Sequence, residues 1–268
     1  MTATGTRPRT APRALALARF NWTLMVRNRT TMLYAFAVPL LPLALLFTAD
    51  ASGADPGAVG DAGVAVVGAA LVTALLFPGY YNLLSMFVTR RDELVLKRLR
   101  TGEIRDAELI VSMALPGAAI TLAVAVATIP VAGVAGFPLP GNPLLLATGI
   151  LLGVAAFAAL AVWTAAWTRT AEAAQLTSAP VMVIAIAGFV APALPDRWQS
   201  WFDLLPGAAV GDLVRTGWFG QSESGAAVGG LSFLEAWVAA APALGVLAGW
   251  LLLAAWLAGR SLRWEPRA

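Results

Sequence analysis

The sequence predicts an all-α, polytopic integral membrane protein with six transmembrane helices and both termini in the cytoplasm. Three observations lead there. Six apolar stretches each approach the roughly 20 residues that a helix needs to cross the hydrocarbon, and none of their cores contains Asp, Glu, Lys or Arg. Charged residues make up 12% of the 268-residue chain, against about 25% in soluble domains. Threading the six stretches in order puts 16 of the 18 lysines and arginines on one side, which the positive-inside rule makes the cytoplasm. The apolar runs are continuous rather than alternating, which argues against a barrel.

Residues 1–30 form a cytoplasmic arm. Its first 12 residues are polar and predicted to be disordered. Residues 13–29 read as an interfacial helix with Leu15, Ala18, Trp22, Met25 and Val26 on one face, although Leu17, Phe20 and Leu24 intrude on the other. The alternative is a merely basic leader. No apolar region flanked by a small-residue cleavage site is present, so no cleaved signal peptide is expected.

The membrane body spans residues 31–259. Its apolar stretches run from about Thr31 to Ala49, Ala62 to Val88, Leu109 to Ala135, Pro143 to Thr168, Ala173 to Leu194 and Ala236 to Gly259. The first outer loop is short, acidic and Gly-rich, and residues 136–142 form a tight Pro/Gly turn. Residues 195–235 are predicted as a re-entrant external pair of helices. The second would begin near Pro206, with Asp212 and Arg215 three apart on one face. Trp198, Trp201, Phe202, Trp218 and Phe219 are expected at the outer membrane–water interface. Residues 260–268 are a short basic cytoplasmic tail.

The loop at residues 89–108 is different in kind. In RRDELVLKRLRTGEIRDAEL, residues 90–109, 11 of the 20 residues are charged, a third of all the charge in the chain. Orientation explains the arginines. It does not explain five acids, which contribute nothing to orientation. The leucines at 94, 96 and 99, a break at Thr101-Gly102, and Asp106 and Glu108 before the next span predict a helix, a bend and a second short helix. That piece would present a mixed-charge face to a partner.

Several chemistries are excluded. With no cysteine and no histidine, disulfides, thiolate catalysis, zinc sites and histidine bases are out. No P-loop exists, since the only lysine, Lys97, follows Leu96. Proton-coupled transport generally needs ionisable groups inside the membrane, and the six cores have none. The basic pI is a topology signal, so no nucleic-acid partner is expected. The polar groups that stand out within the spans are Asn82, Ser85, Gln175, Thr177 and Ser178. They either line a substrate cavity or bond neighbouring helices, and the sequence leaves both open.

Glu93, Leu96-Lys97-Arg98-Leu99, the small-residue break at Thr101-Gly102 and Glu108-Leu109 together resemble the loop of type-2 ABC transporter permeases. The stretch LLPGAAVGDLVRTGWFG, residues 204–220, and the tail RSLRWEPR are similar to two further features of that family. The chain departs from it at Leu94-Val95, where Gly-Thr is common, and at Gly102, where Pro is common. The resemblance implies the membrane subunit of an ABC exporter of drug- or lipid-like molecules. It implies a homodimer in contact with membrane lipid, served by two copies of a separate ATP-binding subunit. The chain itself would hold no catalytic residue, metal or cofactor, with ATP and Mg on the partner. The coupling contact would use Glu93, Arg98, Glu103, Arg105, Asp106 and Glu108. The rival readings are a six-span scaffold or sensor, and a secondary transporter without an ATPase.

Overall fold

The computed structural model describes residues 10–47, 56–96, 105–188 and 195–262, and among them every regular element is helical. Helix α1 covers Thr10–Arg27 and α2 covers Arg29–Leu40. Pro39 and Pro42 each withdraw an N–H from the ladder, and α2 tightens into a 3₁₀ stretch, Leu41–Phe47. The two limbs Leu15–Arg27 and Met32–Phe47 meet at 79°. Helix α1 turns Ala18, Asn21 and Met25 inward and leaves Leu15, Phe20, Leu24 and Val26 exposed. Its inward stripe therefore includes a polar residue, and the large apolar side chains flank it on both sides.

Three segments follow without interruption: α3 (Pro56–Ala74), a π-helical stretch (Leu75–Tyr81) and α4 (Asn82–Asp92). Together they make a helix of 36 residues over Gly57–Asp92, the most buried of the candidate membrane spans. A proline inside a helix removes one backbone donor, and here the winding widens around Pro78-Gly79. Then come α5 (Asp106–Val134), α6 (Pro143–Trp167), α7 (Ala173–Ala187), α8 (Asp196–Phe202), α9 (Pro206–Gly217) and α10 (Phe233–Ser261).

Among the described residues, four helices are long and apolar enough to cross a membrane: Gly57–Asp92, α5, α6 and α10. The expected first span falls on α2 and the 3₁₀ stretch, the second limb of a bent pair whose first limb is the expected interfacial helix; counting that pair as one span gives up to five. Of the expected fifth span, Ala173–Leu194, the structure describes α7, an apolar helix of 15 residues, and residues 189–194 lie outside the described residues.

The core runs along the π stretch and α4, where Leu75, Leu76, Tyr80, Leu84 and Phe87 pack with Phe157 and Leu160 of α6. Helix α9 lies against α3, α6 and α10. It begins at Pro206 as expected, and Arg215 pairs with Asp212 at 3.3 Å. It is almost wholly buried because its first turn is built from small residues. A Cβ on Gly207 would lie 1.6 Å from the carbonyl oxygen of Ala185 in α7.

The turn after α5 starts with Gly136 in the left-handed region, φ +84°. It ends with Asn142, whose side chain accepts from the Leu145 amide at 3.1 Å and caps α6, with Pro143 at the first helical position. That turn is pinned to α9, since the Gly141 and Asn142 amides donate to the carbonyls of Trp218 and Gly217.

This pinning corrects one expectation. Trp198 and Trp201 are exposed, but Trp218 and Phe219 are core residues, 3% and 1% exposed. The Trp218 indole donates to the Pro138 carbonyl at 2.9 Å, and Phe219 meets the edge of Phe137. Aromatic enrichment alone could not distinguish a membrane interface from a buried helix end.

Candidate functional site

The charged loop begins where α4 stops. The Glu93 amide bonds the Thr89 carbonyl and the Leu94 amide bonds the Arg91 carbonyl. Leu94 then takes φ +59°, a left-handed helix stop that costs a residue with a Cβ about 1–2 kcal/mol. This break comes earlier than the expected one at Thr101-Gly102, which lies outside the described residues. Arg98 and Glu103 lie outside them too. Glu93 and Arg105 are exposed, and Asp106 is half-buried. Glu108 folds back so that its carboxylate accepts from the Arg105 amide at 3.3 Å, capping the first turn of α5. Leu96 and Leu109, one on each side of the loop, are buried. The loop is thus anchored at both edges, with acids and an arginine facing out.

Two arginines that the sequence presented only as topology charges are built into the structure. Arg90 donates to the Asn21 side chain of α1 at 2.6 Å, and Asn21 in turn donates to the Ser112 carbonyl of α5 at 2.8 Å. Arg91 is fully buried. Its guanidinium donates to the carbonyl oxygens of Ala165 at 2.8 Å, Thr168, and Arg169 at 3.3 Å. These are end-of-helix acceptors of α6, where a cation is favourable and carbonyls lack intrahelical donors. A signal was there to be read. Leu84, Phe87 and Arg91 follow the spacing of one helix face, and the first two are core.

The candidate cavity residues divide. Asn82 is half-buried and reaches the Met25 sulfur at 3.8 Å. Ser85 is half-buried, and Gln175 is exposed near the start of α7. Thr177 Oγ1 lies 2.8 Å from Thr168 Oγ1, bridging α7 to the end of α6. Ser178 is buried and bonds the Gln175 carbonyl within its own helix.

At the opposite end of the molecule, a cavity of about 570 Å³ opens between α3, α7, α8 and α9. Asp61, Asp203, Asp212, Arg215, Gln199 and Ser224 line it. Asp61 is held by the Ser224 hydroxyl at 2.8 Å and the Gly225 amide at 2.9 Å. Burial lifts the Asp212 carboxyl above its ordinary range, Arg215 partly offsets this, and the nearby Asp203 adds to it. Sequence reasoning missed this charged cavity, because Asp61 of α3 is far in sequence from the 199–224 segment that supplies its other polar members.

No curated protein sequence matches the chain. A family profile does: that of the ABC-2 type transporter matches residues 13–219, from α1 through α9. The matched region contains the bent entry, the long central helix with its anchored charged loop, and the buried α9. On that match over most of its length, and on its long apolar helices, the chain is a multi-pass membrane protein of the ABC-2 type transporter family, in the role of a membrane-spanning transport subunit.

Proposed function

We propose that the chain is the permease of an ATP-driven exporter that moves an amphipathic, drug- or lipid-like molecule out across the cell membrane. In this reading two copies form the path, and two separate ATP-binding subunits dock on the loop at 89–108. The bent pair and the apolar stretch Ala173–Leu194, of which α7 is the described part, complete six spans with both termini in the cytoplasm. Nucleotide-driven closure of the partner moves the loop, and the loop moves the helices it is anchored to.

The observation that carries this reading is the family match over residues 13–219 in a chain with no phosphate-binding loop of its own. Such a chain needs an energy source, and the loop is the charged surface suited to receive one. An apolar cargo is supported by a groove of about 610 Å³ between α5, α6 and α10, lined by Ala, Val, Leu and Ile side chains with Asp106 at one end. On this reading a P-loop ATPase is expected to be encoded beside the chain, and the test is co-expression with it. Joint purification, hydrolysis that only the complex shows, and export of a fluorescently labelled phospholipid from vesicles are expected. A chain that never retains the ATPase would refute the reading.

A further inference from the structure

Arg91 raises a question that orientation does not answer. An arginine facing solvent would satisfy the positive-inside rule, and burying one costs several kcal/mol unless every donor is well placed. Yet Arg91 has no measurable exposure, while its neighbours Asp92 and Glu93 are exposed. Three main-chain carbonyls, at Ala165, Thr168 and Arg169, accept from its guanidinium, and its Nε lies 3.9 Å from the Asp92 carboxylate. A planar fork held on several carbonyls fixes both distance and direction, which a lysine cannot do.

The connection continues. Thr168 is the residue that ends α6; its carbonyl takes the Arg91 guanidinium and its hydroxyl meets Thr177 of α7 at 2.8 Å. One turn earlier, Thr164 accepts from the Tyr80 hydroxyl of the π stretch at 3.1 Å. The helix that leads into the loop is therefore tied at two levels to α6, and α6 to α7. The exit side of the loop is built otherwise: α5 starts with the Glu108 cap on its own backbone, and beside its apolar packing on α4 its hydrogen-bonded link to that helix runs through Asn21 and Arg90.

We propose that Arg91 is a positioning residue for coupling: it makes the start of the loop, the end of α6 and, through Thr168 and Thr177, the start of α7 move as one body. This rests on the reading of the loop as the ATPase contact, and adds the route by which its displacement reaches α7. A break in the route would leave docking and hydrolysis in place while α7 no longer follows.

The chain has no cysteine, so spin labels can be placed without background. One pair goes at Val95 and Glu172, across the tie, and a second at Glu172 and Ser261, from the start of α7 to the end of α10. Distances are measured in the full complex with the ATPase, with and without ATP. With Arg91 intact, the Val95–Glu172 distribution should be narrow and unmoved by ATP, while Glu172–Ser261 shifts. In R91Q the ATPase should still co-purify and hydrolyse ATP. Its Val95–Glu172 distribution should broaden and shift with ATP, with the Glu172–Ser261 shift lost. R91K, which keeps the charge and loses the fork, should fall between. T177V, which cuts only the hydroxyl link, should also diminish the Glu172–Ser261 shift.

Wild-type distances and ATP responses in R91Q would overturn the proposal. If R91Q does not accumulate, R91K and T177V decide it, and wild-type responses in both would overturn it equally. If the wild-type chain never binds an ATPase, the coupling reading has failed. The Val95–Glu172 distribution of the chain alone then still tests the tie, and an R91Q or R91K distribution as narrow as the wild type would remove it.

Discussion

Thr121 of α5 donates its hydroxyl to the carbonyl of Ala74 at 2.9 Å, at the point where the long central helix widens into its π turn. A proline in a buried helix leaves the ladder one donor short, and hydroxyls from neighbouring helices commonly make up such deficits in membranes. Four residues before Thr121 is Gly117, where an added Cβ would stand 2.0 Å from the Pro78 carbonyl oxygen. The glycine lets α5 approach, and the threonine uses the approach.

The two residues should respond differently. Thr121→Val keeps the shape and removes one interhelical hydrogen bond, which costs about 0.5–1.5 kcal/mol in membrane proteins. Gly117→Ala collides with backbone, which cannot turn aside as a side chain can, and should cost about 1–3 kcal/mol. Gly245→Ala is the control. Nothing lies within 4 Å of a Cβ there, so alanine's better helix propensity should leave stability equal or raise it by up to about 1 kcal/mol. Thermal unfolding of the three variants in one mild detergent gives the order. A Gly117→Ala protein as stable as Gly245→Ala would contradict the close crossing.

Orientation is tested by labelling. Cysteines introduced at Ala3 and at Ser261 should be shielded from an impermeant thiol reagent in intact cells and react once the membrane is opened. A cysteine at Ser222, an exposed position beyond α9, should label in intact cells. The rule that assigns sides counts only lysine and arginine, and the proposed six-span threading puts 16 of 18 on one side. Labelling of Ala3 in intact cells would reverse the assignment.

The cavity at the far end of the molecule carries a pH signature. The Asp212 carboxyl has its pKa raised by burial, with Arg215 opposing and Asp203 reinforcing. A carboxylate whose folded pKa lies above its unfolded value destabilises the fold as pH rises through that interval and has no such effect below it. Asp212→Asn should therefore be the more stable protein at pH 7, and the difference should vanish under acid conditions where both states are protonated. Melting curves across pH check this. Equal stability at pH 7, with a gap opening only in acid, would give the opposite sign.

Much of the fold was legible because a single physical signal dominated each part. Uninterrupted apolar runs marked the long helices, Gly136 and Asn142-Pro143 marked a turn, and Pro206 with Asp212 and Arg215 marked α9. What escaped depends on partners distant in sequence. A proline such as Pro78 signals only a ladder one donor short, yet the local packing around the π turn depends on Gly117 and Thr121, about 40 residues on. Arg91 reads as a surface charge until the end of α6 is placed beside it. Trp218 and Phe219 read as interfacial until the 136–142 turn closes over them.

The loop's acids separate a docking surface from a solvated one. Glu93 and Glu108 carry the same charge on the same loop, but Glu93 is exposed after the end of α4 while Glu108 caps α5. Glu108→Ala should lower thermal stability by about 0.5–2 kcal/mol, the range for a lost helix cap, whether or not an ATPase is present. Glu93→Ala should leave stability unchanged within about 0.5 kcal/mol, as surface substitutions do. Its effect should be on the complex. If Glu93 meets a cation on the ATPase in a partly buried contact, truncating it should weaken binding by about 2–5 kcal/mol, whereas an exposed pair would lose only about 0–1 kcal/mol. The double variant of Glu103 and Asp106 to alanine should behave like Glu93→Ala, with expression and orientation intact, since acids contribute little to topology. Titration of the purified permease with the ATPase in lipid discs, together with unfolding of the permease alone, reads both quantities. Wild-type ATPase affinity in Glu93→Ala and in the double variant would leave the acids as decoration of a solvated loop.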